Sequence, residues 1–243
     1  MTITIFTSNS LRHNHLINLF AKKFKLNVVI ETKTKKPGLI KGFFKKSKAH
    51  EKYFNYVEKS EKKFFGNHQY INNVSNTLAI QQGDLNHLNK KELKKFLKSK
   101  YYIVFGASFI KGWLLKYLIK KKAINIHMGL SPYYKGSSCN FWAIYDKNLS
   151  YVGATIHYLS SQLDGGDIIK TVKANKKYKN LFDFSMETVK RVHIKLFNLI
   201  SKKHIFKIKS YKQDKSLLIR YSKNNEFNEY IVKKFLKKNK FVL

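Results

Sequence analysis

Three polar side chains near the middle of the chain have the types and spacing that acyl transfer to an amine requires. Asn125 and His127 are two residues apart at the end of an apolar run, and Asp164 lies in a Leu-Asp-Gly-Gly stretch. Because side chains alternate along a strand, Asn125 and His127 share a face and can both donate to an oxygen that becomes anionic in a tetrahedral intermediate. Asp164 can orient the imidazole, stabilise its protonated form and relay a proton from the attacking amine through water. This chemistry needs neither a nucleophilic residue nor a metal.

Each feature has a structural explanation when it stands alone. An Asn-x-His sequence is more often a capped strand end, and Asp-Gly-Gly is usually only a turn. The catalytic interpretation therefore depends on the combination. We interpret His157 as a structural or half-exposed histidine within a strand. A zinc site is not expected, because no ligand-like partners accompany the remaining N-terminal histidines His13, His15, His50 and His68.

The elements that must position these groups follow from alternating strand and helix patterns. Residues 2–6 and 26–31 predict strands, and residues 11–23 predict the amphipathic helix between them. Further strands are predicted over 102–105, 122–127, 151–159 and 167–172, and helices over 50–65, 90–98, 113–119, 141–146, 181–203 and 226–238. The aromatic residues of 50–65 (Tyr53, Phe54, Tyr56, Phe64 and Phe65) are expected to face the core. Residues 32–48 are expected to form a mobile loop.

This order predicts an α/β, Rossmann-like fold: a mainly parallel, doubly wound sheet with helices on both faces. Ligands bind such sheets at the carboxyl ends of the strands. Residues 106–110 and 125–127 should therefore lie side by side at that edge.

The order of several motifs resembles the folate-dependent formyltransferase family. The motifs are Asn-x-His at 125–127, a Ser-Pro loop with Gly136, Gly-x-Thr-Ile-His-Tyr at 153–158 and Leu-Asp-x-Gly-x-Ile-Ile at 163–169. The family includes glycinamide ribonucleotide, methionyl-tRNA and nucleotide-sugar N-formyltransferases. The resemblance implies a Rossmann-like formyltransferase domain that binds 10-formyltetrahydrofolate as the formyl donor, without a metal, and uses Asn125, His127 and Asp164 as catalytic residues.

The resemblance also implies a slot for the pterin ring of the folate, with apolar walls and backbone hydrogen-bonding groups. Its residues would be Ser108, Phe109 and Ile110 on one side, Tyr158, Leu163 and Gly165 on the other, and Leu130, Ser131 and Pro132 at the top. Many family members have Pro-Ser-Leu-Leu-Pro after the histidine, whereas this chain has Met-Gly-Leu-Ser-Pro at 128–132. The shape of this loop is therefore expected to differ.

The acceptor amine is less well defined than the formyl donor. Glycinamide ribonucleotide enzymes carry a glycine-rich phosphate loop after the first strand, but this chain has no glycine there. Ser8, Asn9, Ser10 and Arg12 could still bind a phosphate or diphosphate. The tail after residue 204 is too short for the RNA-binding domain of a usual methionyl-tRNA enzyme. By elimination, a nucleotide-linked amino sugar is the first choice and glycinamide ribonucleotide the second, followed by methionyl-tRNA. The non-enzyme alternative is a basic RNA-associated binding protein.

The composition restricts the partners of the protein. The 243 residues carry a net charge of +35, but only three of the 49 basic residues are arginine and the lysines are spread along the chain. This pattern is typical of AT-rich coding and does not indicate specific nucleic-acid recognition, for which arginine is preferred. The single cysteine, Cys139, excludes an intramolecular disulfide, and neither a signal peptide nor a membrane span is recognised.

These observations predict a cytoplasmic enzyme that acts on a small-molecule amine, with no membrane partner and no specific nucleic acid. The chain could form a homodimer. The predicted organisation is a catalytic domain over residues 1–204 with a short C-terminal extension, residues 205–243, packed on it.

Overall fold

The computed structural model describes residues 1–33, 47–175, 177 and 180–239. The loop predicted at 32–48 lies for most of its length outside the described residues. The strands are β1 (Thr2–Ser8), β2 (Lys25–Thr32), β3 (Asn76–Gln81), β4 (Tyr101–Phe105), β5 (Ile124–His127), β6 (Tyr134–Gly136), β7 (Gly153–Tyr158), β8 (Ile168–Lys173) and β9 (Arg220–Ser222). The helices are α1 (Leu11–Ala21), α2 (Lys48–Phe65), α3 (Gly112–Lys120), α4 (Cys139–Tyr145), α5 (Leu181–Ser201) and α6 (Glu229–Lys238).

Seven strands form one sheet in the order β3-β2-β1-β4-β5-β7-β8. The first five are parallel, and β7 and β8 continue the sheet as antiparallel strands. The chain leaves β1 in one direction to form β2 and β3, and it returns on the other side of β1 to form β4 and β5. The space between β1 and β4 is therefore the switch point of the sheet, where ligand clefts form.

The central strands are buried on both faces of the sheet. In β4, Ile103 and Phe105 contact the cluster that α1 and α5 cover, while Tyr102 and Val104 contact the cluster beneath α3. Burial on both sides explains why these strands are continuous apolar runs rather than alternating ones. The predicted α/β fold, with a mainly parallel sheet and helices on both faces, is confirmed.

Three local predictions are wrong or incomplete. Residues 90–98 form a run of turns instead of a helix, although Asn89 and Glu92 make the capping box of a helix start. The backbone N–H groups of Lys94 and Phe96 bond to the carbonyl three residues back, so the i to i−4 bonding of an α-helix is not continuous. Strands β3 and β6 were not predicted. In α2, Phe65 is buried, but Phe54 is 41% exposed and does not face the core as expected.

The C-terminal residues contact the rest of the fold at two places. β9 pairs in parallel with β6 as a separate two-stranded sheet, and Phe235 of α6 is buried among aromatic rings that include Tyr53 and Phe141. The division into a catalytic domain and an extension remains a proposal. Within the described part of the chain, no helix is both long and apolar enough to cross a bilayer.

Candidate active site

Asn125 and His127 project from β5 at the edge of the sheet where the parallel strands end. Antiparallel pairing with β7 places His157 opposite Asn125 and Thr155 opposite His127. Asp164 lies in the loop between β7 and β8, and its side chain contacts that of His127. The three side chains that the sequence predicted as catalytic are thus brought to one place.

His127 and Asp164 form a buried pair. The His127 Nδ1 atom lies 3.2 Å from Asp164 Oδ1, and both side chains are less than 10% exposed. Burial opposes the charged form of each group, but their mutual attraction outweighs it: the pKa of His127 is raised well above its ordinary value and that of Asp164 is lowered to about 2. An imidazolium and a carboxylate therefore coexist at neutral pH.

The second ring nitrogen of His127 is also engaged. His127 Nε2 lies 3.0 Å from the Tyr134 carbonyl oxygen, so the protonated ring donates to Asp164 and to the backbone at the same time. The expected direct donation from His127 to a substrate oxygen does not appear in this arrangement. What the ring supplies to the cavity here is a fixed positive charge beside Asp164.

Asn125 is oriented by His157. The His157 Nδ1 atom donates to the Tyr158 carbonyl oxygen at 2.8 Å, which leaves Nε2 as an acceptor, and Asn125 Nδ2 lies 2.9 Å from Nε2. Burial lowers the pKa of His157 to about 4, so the ring stays neutral and keeps accepting. The other hydrogen of the Asn125 amide is left for a ligand. His157 is 1% exposed, hence structural rather than half-exposed, and it sets the direction of a predicted catalytic amide.

The Asp164 carboxylate has a further donor besides His127. The Gly136 backbone N–H donates to Asp164 Oδ2 at 3.1 Å. The backbone of Asp164 is in the left-handed region, with φ of 49°. Gln213, from the C-terminal segment, donates to the carbonyl oxygens of Asp164 and Gly166 at 2.8 and 2.7 Å.

A cavity of about 350 Å³ opens in front of these groups. Asn125, His127 and Asp164 line it, together with four of the nine residues expected in the pterin slot: Ser108, Phe109, Ile110 and Leu163. The two predicted segments, 106–110 and 125–127, do meet at this edge. The cavity has apolar walls and nearby main-chain groups, which is what a pterin ring requires.

The remaining slot residues have other positions. Leu130, Ser131 and Pro132 are buried, and Ser131 donates its backbone N–H to Thr155 Oγ1 at 2.9 Å. Neither these three residues nor Tyr158 and Gly165 line the cavity. The Ser131–Pro132 peptide bond is cis.

Of the four residues predicted to bind the acceptor, Arg12 alone lines the cavity. Ser8 is buried, and Asn9 is hydrogen-bonded to the backbone of Lys33. Glu61 of α2 accepts from the Arg12 backbone N–H and from its guanidinium, each at 3.0 Å. A carboxylate of the protein thus already occupies the N-terminus of α1.

His13 is a cavity residue that was not predicted from the sequence. Its Nδ1 accepts the Ser10 backbone N–H at 3.2 Å, so the neutral ring carries its hydrogen on Nε2, close to Gly106. Burial, with the nearby charges of Arg12 and Lys33, lowers the pKa of His13 well below its ordinary value and keeps the ring neutral. Its place in the first turn of the helix that follows β1, at the switch point, was the available signal.

No group of three or more His, Cys, Asp or Glu side chains that could hold a metal ion occurs among residues 1–33, 47–175, 177 and 180–239. Cys139 is buried, and its thiol lies 3.4 Å from the Gly136 carbonyl oxygen.

Several known proteins are similar to this chain in sequence. The mitochondrial formyltetrahydrofolate deformylase 1 of Arabidopsis thaliana is 29% identical over 90 residues, which are 37% of this chain and 26% of that protein. The chain thus matches about a quarter of the length of this relative.

Solved structures share the fold at lower identity. A 4-N formyltransferase from Francisella tularensis superimposes with a TM-score of 0.58 at 18% identity, covering 93% of this chain and 77% of that one. The formyltransferase PseJ from Anoxybacillus kamchatkensis, in complex with a UDP-linked formamido sugar and tetrahydrofolate, superimposes with a TM-score of 0.51 at 17% identity. The match covers 95% of this chain and 90% of PseJ. Phosphoribosylglycinamide formyltransferase from Anaplasma phagocytophilum superimposes with a TM-score of 0.55 at 18% identity, and the match covers 86% of this chain and 89% of that one.

The family model described as "Formyl transferase" matches residues 41–191, which are more than half of the chain and include Asn125, His127 and Asp164. The chain belongs to the formyl transferase family.

Proposed function

We propose that the protein transfers a formyl group from 10-formyltetrahydrofolate to the primary amine of a small phosphorylated acceptor, and that this acceptor is a nucleotide-linked amino sugar. The observation that carries the proposal is the arrangement at the cavity: a buried His127–Asp164 ion pair beside an Asn125 amide whose direction His157 fixes. When bound, the folate supplies the formyl group. Ser108, Phe109, Ile110 and Leu163 would hold its ring.

The chain contributes charge and orientation to this reaction. The free N–H of the Asn125 amide stabilises the negative charge that develops on the formyl oxygen as the amine attacks, and the His127 imidazolium adds a positive charge nearby. Asp164 is ionised at neutral pH, so it can accept a hydrogen bond from the acceptor's amino group. The proton that this nitrogen loses on attack can then pass through water to the nitrogen of the departing tetrahydrofolate. Removing one donor to such an oxygen typically costs about a hundredfold to a thousandfold in rate.

The end of the cavity near β1 supports this choice of acceptor. In glycinamide ribonucleotide formyltransferases a phosphate loop after the first strand holds the substrate, yet here Glu61 already accepts the backbone N–H and a guanidinium N–H of Arg12 at the start of α1, so these donors are taken. The Nε2–H of the neutral His13 ring can donate to a hydroxyl group of a nucleotide sugar. The outer part of the Arg12 side chain can bind the more distant diphosphate. PseJ, of the same fold, was solved with such a sugar.

Glycinamide ribonucleotide remains the second candidate, because Arg12 keeps a guanidinium at the cavity where a phosphate could bind. Charged initiator tRNA is third. The cytoplasm and a homodimer are retained as proposals for the compartment and the assembly.

The test is a panel of amines assayed with 10-formyltetrahydrofolate by tetrahydrofolate release. The panel contains amino-sugar nucleotides, glycinamide ribonucleotide and charged initiator tRNA, and a reaction without amine is followed for formate release. Turnover with an amino-sugar nucleotide supports the proposal, and turnover with glycinamide ribonucleotide or tRNA reassigns the acceptor. Formate release without any amine, with no turnover of an amine, would instead make the protein a hydrolase like its deformylase relative.

A further inference from the structure

We propose that Gln213 is a positioning residue, through which the C-terminal segment holds the Asp164 loop in its working conformation. This inference rests on the catalytic role proposed for Asp164. Gln213 Nε2 donates to the Asp164 and Gly166 carbonyl oxygens at 2.8 and 2.7 Å, so one amide group connects both sides of the turn at residue 165.

The amide orientation follows from its partners. Two carbonyl oxygens face this end of the Gln213 side chain, and a carbonyl can only accept, so the nitrogen must point toward them. The other end, Oε1, is buried and has no hydrogen-bond partner in the part of the chain that the structure describes. Leaving a buried acceptor unpaired is costly.

The Asp164 backbone needs such a restraint. A non-glycine residue at φ of 49° is disfavoured and stays there only when its surroundings hold it. If the turn relaxed, Asp164 would move away from His127 Nδ1, a contact that is already 3.2 Å long. The bonds from Gln213 to both carbonyl groups oppose that movement.

The same C-terminal segment also reaches the Asp164 carboxylate, by way of Gly136. The Gly136 N–H donates to Asp164 Oδ2, and pairing of β6 with β9 fixes this glycine in register with Ser222. At φ of 89° a Cβ on Gly136 would lie 2.1 Å from the Ser222 carbonyl oxygen, so the contact depends on glycine. Backbone and side chain of Asp164 are therefore held by the C-terminal segment independently.

The experiment compares Gln213→Leu and the isosteric Gln213→Glu with Ser216→Ala in the full-length protein. Leucine removes both hydrogen bonds, and glutamate places a carboxylate against the two carbonyl groups. Asp214 caps the turn at 215–217 by accepting hydrogen bonds from the backbone N–H and the hydroxyl of Ser216. Ser216 is exposed, so Ser216→Ala serves as the matched control in the same segment. Each variant is measured for kcat, for the KM of the amine and for the ring pKa of His127 by NMR titration.

We expect kcat to fall about tenfold to a hundredfold in both Gln213 variants, as for small displacements of a catalytic group, with little change in the KM of the amine. The pKa of His127 should move down toward its ordinary value, because Asp164 no longer stays in contact, and Ser216→Ala should leave all three quantities unchanged. An unchanged kcat and an unchanged His127 titration in folded Gln213→Leu would overturn the proposal. Should one Gln213 variant fail to fold, the other gives the result. The titration of His127 does not depend on turnover, so it tests the positioning role of Gln213 even if Asp164 has no catalytic role. The catalytic role of Asp164 is tested separately by Asp164→Ala.

Discussion

The buried contact between His15 and His193 predicts that mild acid weakens the fold. Their Nδ1 atoms lie 3.0 Å apart between α1 and α5, and a hydrogen bond between them requires that one nitrogen carry no hydrogen. Burial lowers the pKa of His15 to about 3 and that of His193 well below its ordinary value. The charged groups around the pair act in the same direction; they are His68, Lys190, Lys22 and Arg12.

The direction and the size of this loss of stability in acid follow from proton linkage. As the pH falls below about 6.5, the unfolded chain protonates both rings while the folded protein keeps them neutral, so the free energy of unfolding decreases. It stops decreasing only below the folded pKa values. Between pH 7.5 and 5, each ring that protonates only in the unfolded state costs about 2 kcal/mol, or about 4 kcal/mol for the pair.

Urea unfolding at pH 7.5 and pH 5, followed by circular dichroism, measures this cost. His193→Gln removes one titrating ring while keeping a polar side chain of similar size, and His204→Gln at an exposed position is the matched control. We expect the loss of stability between the two pH values to be about 2 kcal/mol smaller in His193→Gln than in the wild type. An equal loss in both proteins would mean that His193 does not stay neutral in the folded protein as described.

Three further expectations concern the cavity and the surface charge. His157→Phe removes the acceptor that orients Asn125, so steady-state kinetics should show kcat reduced about tenfold or more, with the protein still folded. Gly106→Ala would place a Cβ 2.4 Å from His13 Nε2 at φ of 69°; a lower melting temperature and a higher KM for the amine are expected, and unchanged values of both would contradict this contact. RNA binding measured by filter retention at several salt concentrations should fall steeply with salt and show no preference for initiator over bulk tRNA, since scattered lysines bind by counterion release.

The sheet, and the meeting of the three proposed catalytic side chains at its edge, were predictable because their signals are local. Buried parallel strands such as β4 are recognisable as continuous apolar runs, and the spacing of Asn125 and His127 follows from strand alternation alone. β6 has only three residues and depends on pairing with β9. The paired residues Lys135 and Tyr221 are 86 positions apart in the sequence. Such a short strand has no periodicity of its own.

The surroundings of the site depend on contacts between distant residues. His157 looked like an isolated histidine because its partner, Asn125, is 32 residues away, and only the β5–β7 register places them opposite each other. Arg12 looked like a free phosphate ligand because Glu61 belongs to another helix. Predicting either contact needs the tertiary fold, since no local pattern connects the partners.

We propose that Asn125, His127 and Asp164 carry out formyl transfer at this cavity. The most direct test of this proposal measures kcat for 10-formyltetrahydrofolate with the preferred amine in the wild type, His127→Ala and Asp164→Ala, together with folate binding by calorimetry. We predict that each substitution lowers kcat about a hundredfold or more while folate still binds. Near wild-type turnover in either variant would contradict the assignment of these residues.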